Sequence, residues 1–160
     1  MTARIIGTGS AVPAERVTND DLSKVIETSD EWISTRTGIR ERRVAQEETT
    51  VSMAVEAAKK ALENAEMQAK DIEIIIVATC SPDSFFPSAA CQVQEALGAS
   101  EAVAFDLSAA CSGFVFALNT VQAYIKAGMY KTALIVGAET MSKLVDWNDR
   151  ATCVLFGDGA

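Results

Sequence analysis

Three short runs rich in β-branched residues constrain the fold of this chain most strongly. They span 72–79, 103–107 and 132–138, and each is too short for a typical helix and too apolar for a surface strand. Each run therefore predicts a buried strand. Further strands are predicted at 5–9 and at 152–156.

Helical patterns alternate with these runs. One extends from 52 to 66 with an apolar stripe, and a second begins after Pro87 and Ser88 and stops near Gly98. The segment 111–126 is apolar on almost every side, which predicts a buried central helix. Strands that alternate with helices indicate an α/β fold with a mixed, largely parallel sheet and helices on both faces.

Composition excludes several classes of function. The chain has 160 residues with 14 Lys and Arg against 22 Asp and Glu, and a net charge of −8 disfavours binding to nucleic acid. The longest apolar stretch is too short to span a bilayer, and the first residues do not resemble a secretion signal. We therefore expect one cytoplasmic domain over residues 1–160 and no membrane partner.

The cysteines are the main candidates for chemistry. The chain has four cysteines at irregular spacing and no His, so a metal site is not expected. Cys111 lies where a predicted strand meets the predicted buried helix, among small residues that leave room for a ligand. A helix N-terminus stabilises a thiolate there, although buried packing is an equally ordinary use of Cys. Cys80, Cys91 and Cys153 are predicted to be core residues in strand, helix and strand.

Six sequence blocks occur in the order and spacing of one known family. The chain resembles the N-terminal half of the β-ketoacyl-acyl-carrier-protein synthase III family, whose members have the thiolase-like fold. The blocks are Ile5-Ile6-Gly7-Thr8-Gly9, Thr28-Ser29-Asp30-Glu31-Trp32-Ile33, Arg36-Thr37-Gly38-Ile39-Arg40-Glu41-Arg42-Arg43, Phe86-Pro87-Ser88-Ala89-Ala90-Cys91, Ala109-Ala110-Cys111-Ser112-Gly113-Phe114 and Phe156-Gly157-Asp158-Gly159-Ala160.

The resemblance implies a specific role for Cys111. In the family the matching cysteine attacks the thioester of an acyl-coenzyme A and holds the acyl group while coenzyme A leaves. Malonyl-acyl carrier protein then enters, loses carbon dioxide and attacks the held acyl group, which is a decarboxylating Claisen condensation with ping-pong character. Acyl-coenzyme A is a substrate, and no tightly bound cofactor is implied.

Trp32 and a nearby group of arginines form a second candidate site. Guanidinium groups pair with phosphates, and an indole offers a flat face to adenine, although a solvated loop with an anchored Trp explains the same residues. The resemblance assigns part of this group to the entrance for coenzyme A. The residues are Thr28, Trp32, Arg36, Thr37 and Arg150. Arg40, Arg42 and Arg43 are interpreted as surface residues.

Phe86 lies in a turn-like stretch before Pro87. The resemblance implies that it reaches across a homodimer interface to shape the partner's acyl pocket, whereas the sequence alone equally allows a Phe folded onto its own core. The family takes its catalytic His and Asn from a C-terminal half, so we expect that half to be a further partner.

Two other functions stay open at this stage. One is a related condensing enzyme of specialised metabolism, with the same nucleophile and a different acyl acceptor. The other is a non-catalytic half that binds acyl-coenzyme A or supports a partner chain. The absence of His from this sequence motivates this alternative.

Overall fold

The computed structural model describes residues 3–160, which form a small central sheet with helices on both faces. The strands are β1 (Arg16–Thr18), β2 (Glu41–Arg43), β3 (Ile74–Ala78), β4 (Val103–Leu107), β5 (Ala133–Gly137), β6 (Glu139–Thr140) and β7 (Asp158–Gly159). The helices are α1 (Asn19–Leu22), α2 (Asp30–Thr37), α3 (Thr50–Asn64), α4 (Ala89–Leu97), α5 (Gly113–Lys126) and α6 (Arg150–Cys153).

The central sheet has the order β4-β3-β5 and is wholly parallel. Ala78 at the end of β3 is in register with Leu107 of β4 and with Gly137 of β5. All five residues of β3 are buried, as expected for a middle strand covered on both faces. The three predicted strands are therefore confirmed, each within two residues of its expected bounds. The prediction that all three are buried is wrong for β4, in which no residue is buried and Val103 is exposed within the described chain.

The two faces of the sheet bury alternate residues. Ile75 and Val77 belong to the core beneath α3 and α4, whereas Ile74 and Ile76 belong to the core beneath α5. A fully buried aliphatic side chain of this size contributes about 1.5–3 kcal/mol to folding. The expected layers of helix, sheet and helix are therefore present, and two antiparallel pairs, β1 with β2 and β6 with β7, lie outside the central sheet.

Local signals place the helix ends. Thr49 and Ser52 form a capping box at the start of α3, so that helix begins two residues before the predicted bound. Ser88 caps α4, and Gly98 ends it in a left-handed conformation with a φ of 73°. The helix that was predicted to begin after Pro87 and Ser88 and to stop near Gly98 is confirmed.

Two predicted strands are wrong. The residues at 5–9 form no strand, because Gly7 and Gly9 pack their backbone directly on α3 and Thr8 N donates to Asn64 Oδ1 at 3.0 Å. The residues at 152–156 are the end of α6 and a turn. The side chain of Asp149 caps α6 by accepting from Ala151 N, and this cap overrides the strand preference of the residues that follow.

Within the described residues, no helix combines the length and apolarity needed to cross a bilayer.

We expect Gly9→Ala to destabilise the fold. A Cβ at Gly9 would lie 2.2 Å from Ala57 O and 2.5 Å from Ala61 N, and backbone atoms inside a helix cannot move aside cheaply. The cost should be on the order of 3 kcal/mol. Thermal unfolding measures it, with Gly137→Ala as the matched control because its Cβ would meet only Phe114 Cδ2, at 3.8 Å. Equal melting temperatures for the two variants would contradict this packing.

Candidate functional site

Cys111 lies on a tight turn between β4 and α5. The turn is a single 3₁₀ turn over Ala110–Ser112, and Ser112 N donates to Ala109 O at 3.1 Å. Ala110 has a φ of 45°, a left-handed conformation that costs an L-residue about 1–2 kcal/mol. Such strain is concentrated at functional sites. Cys111 is an exposed free thiol in this turn.

The position of Cys111 differs from the prediction in two respects. The α-helix begins at Gly113, so Cys111 lies in the turn before it instead of in its first turn. The helix is also not buried all round, since Phe114, Val115 and Phe116 are 44%, 55% and 51% exposed. Only one side of α5 packs on the sheet within the described chain, which leaves the opposite apolar side open.

The turn is held close to the middle strand. A Cβ on Gly113 would lie 3.0 Å from the Cβ of Ala78, the last residue of β3. Small residues on both sides therefore let the start of α5 approach the end of β3. The sheet thus brings Cys111 to the edge where the parallel strands end.

Cys80 and Glu139 occupy the same edge of the sheet. Cys80 follows β3 and Glu139 follows β5. Cys80 N and Cys80 Sγ both donate to Glu139 Oε1, at 2.9 and 3.2 Å, while Thr79 Oγ1 and Ser81 Oγ donate to Glu139 Oε2. Burial and the Glu139 carboxylate raise the pKa of the Cys80 thiol, and the charge of Cys111 adds to the rise. The predicted core position of Cys80 is wrong, because this thiol is exposed.

Trp32, Arg36 and Arg150 form the second part of the site. The guanidinium carbons of Arg36 and Arg150 each lie 4.6 Å from the centroid of the Trp32 ring, within the range of a cation–π contact. Arg36 Nη1 also donates to Trp32 O, and Arg150 Nη1 donates to Glu27 O. Three of the five predicted entrance residues are therefore in contact, although Arg150 is distant from the other two in sequence.

Buried Arg42 ties together the elements that carry this cluster. Its guanidinium donates to Asn19 Oδ1 at 2.7 Å, to Val17 O at 3.0 Å and to Val154 O at 3.2 Å. Asn19 in turn donates to Asp30 Oδ1 at 2.8 Å, at the start of α2. Arg42 is only 5% exposed, so its interpretation as a surface residue is wrong. Burial lowers its pKa.

Thr28 and Thr37 flank the Trp32 cluster in different ways. The hydroxyl of Thr37 donates to Ile33 O at 2.8 Å and accepts from Ile39 N, so it closes the C-terminal end of α2. Thr28 Oγ1 is buried and has no hydrogen-bond partner among the described residues. The Thr37 hydroxyl thus has two hydrogen-bond partners, whereas the Thr28 hydroxyl has none among the described residues.

Phe86 lies away from the core of its own chain. It is 91% exposed, and its neighbour Phe85 is 100% exposed, in the loop between β3 and α4. The peptide bond between Phe86 and Pro87 is cis. The alternative in which Phe86 folds onto its own core is therefore wrong for this chain.

The sequence did not predict two carboxylates that accept hydrogen bonds from backbone N–H groups of other elements. Asp106 accepts from Ala89 N and Ala90 N at the start of α4, at 2.9 and 2.7 Å. Asp158 accepts from Ala45 N at 2.6 Å and from Ser142 N at 2.8 Å, and it is 7% exposed. The signals in the sequence were the isolated Asp106 in an apolar run and the position of Asp158 between two glycines.

Cys91 and Cys153 have structural positions. Cys91 is half-buried in α4, as predicted, and Cys153 is fully buried but in α6 instead of in a strand. Burial raises the pKa of the Cys153 thiol. Neither thiol is as accessible as Cys80 and Cys111.

Comparisons with a family model and with solved structures define the class of protein to which this fold belongs. The model of the family described as 3-Oxoacyl-[acyl-carrier-protein (ACP)] synthase III matches residues 105–160. The structure of 3-oxoacyl-[acyl-carrier-protein] synthase III from Aquifex aeolicus VF5 is similar at 54% identity and a TM-score of 0.96, over 98% of this chain and 51% of that one. A priming β-ketosynthase of the R1128 polyketide pathway is similar at 39% identity and a TM-score of 0.94, over 98% and 47%. The fold is that of the thiolase-like condensing enzymes.

Sequence relatives give the family. β-Ketoacyl-[acyl-carrier-protein] synthase III of Clostridium acetobutylicum is 58% identical over 159 residues, which are 99% of this chain and 49% of the relative. Synthase III 1 of Bacillus cereus is 57% identical over 161 residues, or 100% of this chain and 52% of the relative. The chain belongs to the β-ketoacyl-[acyl-carrier-protein] synthase III family and corresponds to its N-terminal half. It spans about half the length of these relatives.

We expect Glu139→Gln to lower the pKa of Cys80. The carboxylate accepts from the thiol and repels the thiolate, and a neutral amide removes that repulsion, while burial keeps part of the rise. Alkylation of Cys80 by iodoacetamide should therefore begin at lower pH in the variant. Mass spectrometry of the labelled peptides measures this, with Cys91 as the internal reference. An unchanged pH profile at Cys80 would contradict the contact.

Proposed function

We propose that this chain supplies the acyl-accepting half of a β-ketoacyl-acyl-carrier-protein synthase III, with Cys111 as the nucleophile. The observation that carries the proposal is the exposed thiol of Cys111 on a strained turn at the edge where the parallel strands end. Open α/β sheets bind ligands at that edge. The names of the relatives support the same reaction class.

The first step is transfer of an acyl group to Cys111. The thiolate attacks the carbonyl carbon of an acyl-coenzyme A, a new carbon–sulfur bond forms, and the bond to the coenzyme A sulfur breaks with its electron pair. Coenzyme A leaves as a thiolate that takes up a proton from solvent. The small residues Ala109, Ala110 and Gly113 leave space for this approach.

Coenzyme A would bind at Trp32. Adenine is a flat aromatic group, and it would stack on the indole while Arg36 and Arg150 pair with phosphates. Both arginines already contact the ring, so a stacked adenine has to displace one of them or lie beside it. We assign Thr28 to this entrance on the family resemblance; its buried hydroxyl has no hydrogen-bond partner among the described residues. We assign Thr37 to this entrance through its support of α2.

The second step requires groups from outside these residues. Condensation with malonyl-acyl carrier protein needs stabilisation of the carbanion left by loss of carbon dioxide, which the family resemblance gives to a His and an Asn. This chain has no His, so we assign both to the C-terminal half. Exposed Phe86 fits a contact with a second copy, in which it would shape the acyl pocket of the partner.

The location of the enzyme follows from its thiols. All four cysteines of the chain are free, and free thiols persist in a reducing compartment. We therefore propose a cytoplasmic enzyme. The family resemblance supports an enzyme that has acyl-coenzyme A as a substrate and no tightly bound cofactor.

A condensing enzyme of specialised metabolism is the second candidate. The likeness to the R1128 priming β-ketosynthase favours it, since that protein has the same fold at a TM-score of 0.94. The higher identity of 58% to the Clostridium acetobutylicum synthase favours the fatty-acid enzyme. Analysis of the product formed with malonyl-acyl carrier protein separates the two.

We expect the full-length protein to take up one acetyl group on Cys111. After incubation with acetyl-coenzyme A, cleavage at glutamate should place the added mass on the peptide 102–139, in which Cys111 is the only cysteine. Cys111→Ser should lose at least about 100-fold in acylation, because a hydroxyl is a far weaker nucleophile.

Cys91→Ser is the matched control and should be acylated as the native protein is. Acetylation of the Cys111→Ser variant at the native level would overturn the assignment of the nucleophile. Intact mass and peptide mapping give both readouts.

A further inference from the structure

Two exposed thiols lie at the same edge of the central sheet. Cys80 follows β3 and Cys111 follows β4, and the last residues of these strands, Ala78 and Leu107, are partners in the parallel register. Thr79 N continues this pairing by donating to Leu107 O at 3.2 Å. Cys80 lies two residues after the end of β3 and Cys111 four residues after the end of β4, so both thiols follow neighbouring strands of the sheet.

The two segments also converge beyond the strands. Gly113, two residues after Cys111, would place a Cβ 3.0 Å from the Cβ of Ala78, two residues before Cys80. The proximity of Cys111 is among the lesser causes that raise the pKa of the Cys80 thiol, after burial and the Glu139 carboxylate. The proposed acyl transfer uses Cys111 and leaves Cys80 without a role.

Glu139 gives Cys80 a proton acceptor. The thiol donates to Glu139 Oε1 at 3.2 Å, and Met141 Sδ lies 4.0 Å from the same sulfur. The carboxylate keeps Cys80 protonated at rest, and it can accept the proton at the moment when the sulfur attacks. A thiol with a high pKa is also the stronger nucleophile once it is deprotonated.

We propose that Cys80 is the resolving thiol of Cys111, so that a peroxide converts the pair to a reversible disulfide that blocks acylation. The proposal rests on the proposed function, in which Cys111 is the acyl acceptor. It adds a modification site at Cys80 and a redox control of the nucleophile.

The chemistry balances with hydrogen peroxide as the oxidant. The Cys111 thiolate attacks one peroxide oxygen, which breaks the oxygen–oxygen bond and gives a sulfenic acid and hydroxide. Cys80 then attacks the sulfenic sulfur, its proton passes through Glu139 to the departing hydroxide, and water leaves. Two thiols and one peroxide become one disulfide and two waters, with both electrons taken up by the peroxide oxygens.

The test uses the full-length protein with hydrogen peroxide as the probe. Cleavage at glutamate releases Cys80 and Cys91 in the peptide 74–95 and Cys111 in the peptide 102–139. Treated native protein should yield these two peptides joined, with the loss of both thiol hydrogens. Acylation by acetyl-coenzyme A should be lost and then restored by dithiothreitol.

Cys80→Ser separates the role of Cys80 from ordinary oxidation. Its Cys111 should oxidise past the sulfenic acid to products that thiols do not reduce, so recovery relative to its own untreated activity should be about tenfold lower than in the native protein. Cys91→Ser is the matched control and should retain both the joined peptides and the recovery.

The outcomes separate the two proposals. Joined peptides that persist in Cys80→Ser, a link that vanishes in Cys91→Ser, or equal recovery in the native protein and Cys80→Ser would each overturn the pairing. Joined peptides in a native protein that is never acylated before treatment would support the pairing and overturn the proposed function.

Discussion

Parallel pairing of β3 with β4 and β5 is the interaction on which the site depends. Because the three strands run in one direction, their carboxyl ends meet at one edge, and the residues that follow them share that edge. Cys80, Cys111 and Glu139 follow β3, β4 and β5, and they lie at the same end of the sheet for this reason. The backbone hydrogen bonds of the sheet thus fix the surroundings of Cys111.

The Trp32 cluster is built separately from the sheet. It lies on α2 and α6, whose apolar residues form their own core around Leu22, Ile33 and Val154. Arg42 and Asn19 join these elements through buried hydrogen bonds, and removal of one partner would leave a buried polar group unsatisfied. The chain therefore carries two separately built clusters, one around Trp32 and one around Cys111.

Features that depend on residues close in sequence, such as the strands and α4, could be predicted from the sequence. Features that depend on residues distant in sequence, such as the burial of Arg42 and the exposure of Cys80, could not. The strand runs and the helix after Ser88 carry their own signals, so the sheet and α4 followed from local pattern. The burial of Arg42 depends on Val154, 112 positions away, and the exposure of Cys80 depends on how the edge packs around Glu139, 59 positions away. The strand predicted at 152–156 failed because the cap at Asp149 decides that segment. The importance of Cys111 came from the family resemblance, since spacing alone also allowed a packing role.

A crystal structure of the full-length protein with coenzyme A tests the central claim most directly, which is that the Trp32 cluster and Cys111 serve one ligand. The account predicts adenine against Trp32 beside Arg36 and Arg150, with the thiol end of the ligand at Cys111 Sγ. A ligand whose adenine binds away from Trp32, or whose thiol end lies away from Cys111, would contradict it.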